Sequence, residues 1–568
     1  MNFDRVTVDP KTSFIYFVYP FLFDTGEFEA RVKAIDTAQL PGRDRTHKIW
    51  EPQKFSETDL LLHVANYLNA EINPTARFWR LSDAVRDTFG FRGGKTDWYL
   101  STPQGKIQFC FGEEQGKGNK VVELVLFKVG VGFVIVRSQP TSNQVNDWLN
   151  FIHYFRFSSK RQNVKVKAEK RHRNQETQQT ELCPFFPELA GGIQQHPDGS
   201  GELYEILKVL LNTALEPVPL FWQLKKFIPD FERRNLSLKP QLWLTFWKYN
   251  KLWLTLKLGN LSQKSLPQLC SNFLAIWESS PWWKEVFVPG QMLSFTALFV
   301  NNCSENDIPY LLYKLHNFFP IGELGDNPAL GDLEIDRSTR ICYGKEQWFN
   351  FSLEGSSFLA VDAPKSKFYQ QNLPAHLRDR YFLLFLLALH QRFTLMMLSA
   401  KVADNWVVDE DAKIDAKRQK LFEEIRNQLL VFTARGYYTQ AMQREQHHRC
   451  YQKWHEVFDL ERLYQEVSDE VREMHEYSLM RQTRRLERTI QIIGVAAGTG
   501  GIVASSTSAY IKEPLKLNFS GKLDTIHPGV SALMLSLLLG VIAGGLTWLG
   551  TGGWNWLLTN IKQSFFKN

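Results

Sequence analysis

The chain has 568 residues, with 67 Lys and Arg against 60 Asp and Glu for a formal net charge of +7. At 44% hydrophobic and 22% charged residues it is too apolar for a disordered chain, and at about 100–200 residues per domain it has room for two or three soluble units. Cys110, Cys183, Cys270, Cys303, Cys342 and Cys450 lie far apart with no CxxC pair, which argues against a disulfide framework or a structural zinc site and fits a reducing compartment.

The first nineteen residues mix Asp4, Arg5, Asp9 and Lys11 with apolar side chains, so they lack the basic start and apolar block of a secretory signal, and the bulk of the chain is expected in the cytoplasm. Residues 1–157 read as an N-terminal α/β domain. Its clearest piece is 121–127, a turn at Gly130 and Gly132, and 133–136, two β-branched runs at hairpin separation. A helix follows, with Ser142 as its expected cap and Val145, Trp148, Leu149 and Ile152 on one apolar face. Residues 158–182 read as a basic polar linker. Within it Lys160, Arg161, Lys165, Lys167, Lys170, Arg171 and Arg173 face the single Glu169, and no aromatic residue interleaves the charges, so a solvated segment is expected before a lipid contact and nucleic acid is not an expected partner. Residues 183–376 read as a second mixed α/β domain, with strands at 347–353 and 357–361. Its aromatic stretch 242–256, containing Trp243, Phe246, Trp247, Tyr249 and Trp253, reads as core or sheet packing rather than a ligand cage.

From residue 377 to 488 the pattern is helical, with a break at 405–415 and a kink expected at Gly436. The apolar blocks 381–389 and 393–398 are split by His390, Gln391 and Arg392, so each is too short to cross a bilayer and should be buried in protein. Farther on, Leu460, Leu463, Val467, Val471 and Met474 recur three or four apart among charged residues, the pattern of a stalk helix with one packing face. No proline interrupts the chain from there through Arg481, Arg484, Arg485 and Arg488.

Residues 489–510 and 529–550 then form two apolar runs without Asp, Glu, Lys or Arg, each of the roughly 20 residues needed to cross a ~30 Å hydrocarbon layer. A two-helix transmembrane hairpin is therefore expected, with an outer loop at 511–528 and a cytoplasmic tail at 551–568. The four arginines before the first run outweigh Lys512, Lys516 and Lys522 between the runs, and Lys562 and Lys567 follow the second; this bias places both termini in the cytoplasm, with Trp548, Trp554 and Trp556 at the inner interface. Inside the first run Gln491, Gly494, Gly498, Gly501, Ser505 and Ser508 fall at steps of three or four. Such a stripe serves close helix packing, or lines a water-filled path when several copies surround an axis. Because one hairpin cannot enclose a pore, the second reading requires a homo-oligomer, and it would set Arg484 and Arg488 at the inner mouth. His447, His448, Cys450 and His455 cluster on a helix, but their spacing does not converge on one metal, and no nucleophile elbow, HExxH or phosphate loop is found, so no enzyme activity and no cofactor is implied.

This order of α/β cytoplasmic domain, long stalk helix, first crossing, short outer loop, second crossing and basic tail resembles the CorA-type divalent-cation channel superfamily. The run Ser478-Leu479-Met480-Arg481-Gln482-Thr483-Arg484-Arg485-Leu486-Glu487 is similar to the stretch by which that family's stalk enters the membrane, and the basic end 562–567 to its tail. The resemblance implies a channel or transporter of about five identical subunits in a bacterial inner membrane, gated by its cytoplasmic domains. It departs at the outer end of the first crossing, where the family's Gly-Met-Asn is absent; Leu517-Asn518-Phe519 is the nearest echo, so Asn518 is the candidate for the outer entrance and magnesium selectivity is not implied. Members of the superfamily also act as membrane effectors of antiviral defence that open on binding a nucleotide messenger, which makes a small-molecule or nucleotide regulator the second expectation. A pore-less membrane-anchored interaction protein is the third.

Overall fold

The computed structural model describes residues 3–41, 46–53, 60–69, 74–83, 86, 96–112, 120–156, 165–173, 180–184, 200–202, 283–286, 291–322, 328–334, 338–405, 412–510, 515–519, 522–526 and 528–548. The aromatic stretch 242–256 and the tail 551–568 lie outside these. The chain divides into two compact units, Met1–Trp406 with Ile425–Val467, and Val407–Glu424 with Ser468–Asn568.

The first unit is built on a large, mainly antiparallel sheet. Its strands, in chain order, include β1 (Phe14–Phe23), β2 (Trp50–Gln53), β3 (Ala76–Leu81), β4 (Thr96–Thr102), β5 (Gly105–Phe111), β6 (Val122–Phe127), β7 (Val131–Pro140), β8 (Lys165–Arg173), β9 (Leu293–Asn301), β10 (Arg340–Gly344), β11 (Gln347–Ser352) and β12 (Gly355–Val361). The path runs β8-β4-β5-β7-β1-β9-β12-β11-β10, with β6, β3 and β2 extending from β7 as a branch. Strands β9 and β12 are parallel, with Ser294 opposite Gly355 and Val300 opposite Val361, and the helix α3 (Ile308–Asn317) lies in the connection between them. The expected hairpin forms as β6 and β7. Gly130 closes it at φ +99°, and Gly132 leaves room for the Phe21 ring, which any Cβ there would meet at 2.2 Å.

β1, which the helix α1 (Phe28–Thr37) follows in the chain, is buried along almost its whole length on both faces, so it needs a layer on each. On one side Phe17 meets Phe155 at 4.6 Å and Phe151 at 6.2 Å, both from α2 (Val145–Arg156). Ser142 stands just ahead of that helix; its hydroxyl accepts from the Gln144 N–H and its carbonyl from the Trp148 indole. On the other side Tyr16 and Phe295 pack against Phe382, the first residue of α4 (Phe382–Asn405). Behind α4 lies α6 (Glu445–Val457), whose Trp454 touches Phe385 and Phe351.

Two expected boundaries differ. The segments 1–157 and 291–361 are not separate domains: β1 pairs with both β7 and β9, and one apolar core runs through both segments. The physical reason is the two-sided burial of β1 and its neighbours, which neither segment can satisfy alone. The basic run expected as a linker places Lys165–Arg173 in β8, paired with β4 and with the strand Thr180–Pro184. Gly436 ends the helix α5 (Ala412–Arg435) rather than kinking it.

Among the described residues, one helix, Phe368–Asp404, is long and apolar enough to cross a membrane, and 83% of its apolar window is buried within the protein. It is a core helix, as expected for the blocks around His390. A buried polar knot ties it to its neighbours. Gln391 Nε2 donates to the Gly436 carbonyl at 3.0 Å, Tyr451 OH donates to Gln391 Oε1 at 3.1 Å, and His390 Nε2 lies 3.4 Å from Tyr67 OH.

Burial holds the pKa of His390 down to about 3, and those of His153 and His455 to about 4. Below the ordinary histidine value of about 6.5 the unfolded chain takes up protons that the folded chain refuses, so stability falls as pH drops from 6.5 toward 4, by about 1.4 kcal/mol per unit for each such histidine. Thermal melting of the purified chain should show that loss, and His390→Phe should lessen it by about a third, leaving the share of His153 and His455; a melting temperature constant between pH 7 and 4.5 contradicts the neutral buried histidines.

Candidate functional site

The second unit contains most of a 51-residue helix, α7 (Leu460–Tyr510), a two-stranded ribbon of β13 (Leu515–Phe519) and β14 (Lys522–Ile526), and α8 (Pro528–Trp548). At 1.5 Å per residue α7 is about 77 Å long. It is unbroken because nothing from Leu460 to Tyr510 is a proline and its few glycines stand singly or in one pair. Leu460, Val467, Val471 and Met474 are buried, and Leu463 is half-buried, so the packing face read from the periodicity exists.

Beyond Met474 the character of α7 changes. Leu479, Leu486, Ile490 and Ile493 are all exposed, at 47–65% of their accessible area. Steps of three and four set Arg484, Arg488, Gln491, Gly494, Gly498 and Gly501 along one broad helical face, and each of these is exposed. A Cβ built on Gly494, Gly498 or Gly501 meets nothing within 4 Å, so within one chain the stripe faces open space. Arg481 instead folds back over the Tyr477 ring, 5.1 Å from its centroid. Ser505 and Ser508 continue the helix, but their side chains lie outside the described residues. Asn518 is on β13, opposite Leu523 of β14. The segment expected as a simple outer loop therefore holds a hairpin, in keeping with the alternation of Leu515, Leu517 and Phe519.

α8 exposes Leu533, Met534, Leu537, Leu538, Val541, Ile542 and Leu546 over a broad arc. Its covered strip is of small residues, with Ser536 and Gly540 buried, and the Ser536 hydroxyl donates to the Leu533 carbonyl at 2.9 Å, so that this hydroxyl hydrogen is satisfied within an apolar helix.

The histidine cluster of α6 is taken up in packing. His447 lies edge-on to Tyr381 at 4.8 Å, and His455 packs on Tyr451 at 4.4 Å. Sequence reading passed over a second cluster, in the sheet. Glu123 of β6 and Arg137 of β7 are buried together: Arg137 donates from Nε and Nη2 to Glu123 Oε2 at 2.9 and 2.5 Å, and from Nη1 to Tyr16 OH at 2.7 Å. Burial alone would raise the Glu123 carboxyl, but Arg137 and Lys120 hold it below its usual range. The signal was present as single charges inside two otherwise apolar strands.

No family model and no curated protein matches the chain. Among solved structures it is similar to the CorA magnesium transporter from Methanocaldococcus jannaschii, at 13% identity and a TM-score of 0.16, over 46% of this chain and 91% of that one. A likeness that low leaves the reading to the chain's own geometry.

Glu123→Gln strands the buried Arg137 charge and should lower stability by about 3–5 kcal/mol, whereas Glu123→Leu combined with Arg137→Met should recover most of it. Melting of the full chain and the two variants checks this; a single variant as stable as the parent would show that the pair carries no charge in the folded protein.

Proposed function

We propose that the protein is a membrane-embedded homo-oligomer in which copies of α7 surround an ion path, with the first unit on the cytoplasmic side controlling its opening. The observation that carries the reading is the second half of α7: an exposed stripe of Gln491, Gly494, Gly498 and Gly501, open to any neighbour, on a helix that also exposes large aliphatic side chains. A lone helix in water would leave that surface unsatisfied, while lipid takes the aliphatic side and other copies take the stripe. In this reading Gln491, Gly498, Ser505 and Ser508 line the path, Arg484 and Arg488 face its inner mouth and raise a barrier to cations that favours anions or a closed gate, and Asn518 stands nearest the outer entrance. α8 completes the hairpin and faces lipid with its aliphatic arc, and both termini are cytoplasmic. The permeant ion is left open, because the Gly-Met-Asn motif is absent. The continuity of α7, which carries residues of both units, supports mechanical control of the path by the first unit.

Liposomes containing the full chain and loaded with Mg²⁺, K⁺ or Cl⁻ should release at least one ion, and Gly498→Leu should abolish release while insertion is kept. Flux unchanged in Gly498→Leu removes the stripe from the path, and no flux of any ion makes the hairpin a tether. Leu537→Lys with Leu538→Lys at the centre of α8 adds about 6–8 kcal/mol to insertion. A cytoplasm-dependent reporter fused after Asn568 should then lose its signal; an unchanged signal contradicts a second crossing.

A further inference from the structure

From Ser508 back to Gln491 the stripe of α7 alternates steps of three and four, and the same alternation continues without a break to Glu487 and then Arg484. A strict alternation of this kind is a seven-residue repeat, the spacing by which parallel helices pack along a common seam. At about 100° per residue, Glu487 stands about 20° from Gly494 and about 40° from Gln491 around the helix, so it falls at the centre of the stripe. Arg484 stands about 60° to one side of Glu487, and Arg488 about 100° to the same side.

All three side chains are exposed, and no ion pair joins any of them to another described residue. Nearer the start of α7 the charges are paired along the helix. Arg462 Nε lies 3.4 Å from Glu466 Oε1, and Arg472 Nη2 lies 2.9 Å from Asp469 Oδ1. Arg484 and Glu487 have the same three-residue separation as Asp469 and Arg472, yet they do not close on each other within one chain.

Where α7 enters the membrane, an arginine has a ready partner in lipid phosphate. A carboxylate has none, because the cytoplasmic leaflet is itself negative and repels it. Glu487 is therefore ill placed against lipid and well placed on the seam, where the arginine shoulder of an adjacent parallel helix comes beside it.

We infer that Glu487 of each copy pairs with Arg484 of the next, forming a collar of ion pairs between copies at the inner end of the stripe. The partner is a second copy of this chain, parallel and level with the first, since the alternation and the two opposite charges recur at the same height on every copy. Charge-assisted hydrogen bonds from the Arg484 fork to the Glu487 carboxylate hold that register, and the surrounding apolar side chains strengthen them by limiting water. The collar rests on the homo-oligomer reading of α7, but it is read from assembly and not from flux.

The test uses the full chain in detergent, with its mass followed by light scattering through a dilution series. The parent should stay assembled, and Glu487→Gln and Arg484→Gln should each raise the concentration at which the copies separate by about tenfold. Both changes together should cost no more than the worse of the two, because each removes the same contact. Glu487→Arg with Arg484→Glu keeps the charge that flanks the first crossing and should restore parental assembly. An assembled parent whose single variants separate at its own concentration, or whose losses add in the double variant, overturns the collar and leaves the ion-path reading standing. A parent that is monomeric throughout overturns both.

Discussion

The first unit depends on one constraint, the two-sided burial of β1. Ten residues from Phe14 to Phe23 present aromatic or aliphatic groups to both faces of the sheet. A strand of that kind cannot lie at a solvent-facing surface, so the chain has to supply helices on each side and strands at each edge. It draws them from distant sequence: β7 from the same α/β segment, β9 from nearly three hundred residues on, α2 on one face and α4 on the other. α4 is apolar enough to resemble a membrane helix for the same reason. It is enclosed between the sheet and α6, with aromatic contacts to both.

The second unit is organised by the opposite situation. Past Met474, α7 has large aliphatic side chains without cover and a strip of glycine with nothing against it, and α8 repeats this with a broad aliphatic arc and a narrow small-residue strip. In water both surfaces would be costly, at about 25 cal/mol for each Å² left exposed. A bilayer around an assembly of copies removes that cost at once from both surfaces, which is why the functional reading is placed there and not on the sheet.

Local patterns in the sequence were legible where they were strong. The β6–β7 hairpin, the strands near 347–361, the apolar face of α2 and the long packing face of α7 follow from periods of two and 3.6, and each of these elements is present. The joining of distant segments was not legible. Pairing of β1 with β9 is a non-local choice fixed by burial across the whole sheet, and the intervening stretch, rich in Lys, Arg and aromatic residues, looks like a boundary when read locally. The ribbon β13–β14 is five residues a side, too short to stand out beside Pro514 and Lys516. Of the site residues, Gln491, Gly494, Gly498 and Gly501 lie where their spacing sets them, on one helix and exposed. The Glu123–Arg137 pair was overlooked because isolated charges in apolar strands are conspicuous only once their strands are known to be neighbours.

The central claim is that the glycine and serine stripe of α7 faces water inside an assembly. The direct measurement is the reaction rate of a membrane-impermeant thiol reagent with single cysteines placed along α7, in the membrane-inserted chain with its six native cysteines replaced by serine. Gly494→Cys, Gly498→Cys, Gly501→Cys and Ser505→Cys should react quickly, and Ile492→Cys and Ile493→Cys slowly, giving a period of three to four residues. Uniform protection along the helix, or fast reaction on the isoleucine side, contradicts a water-facing stripe.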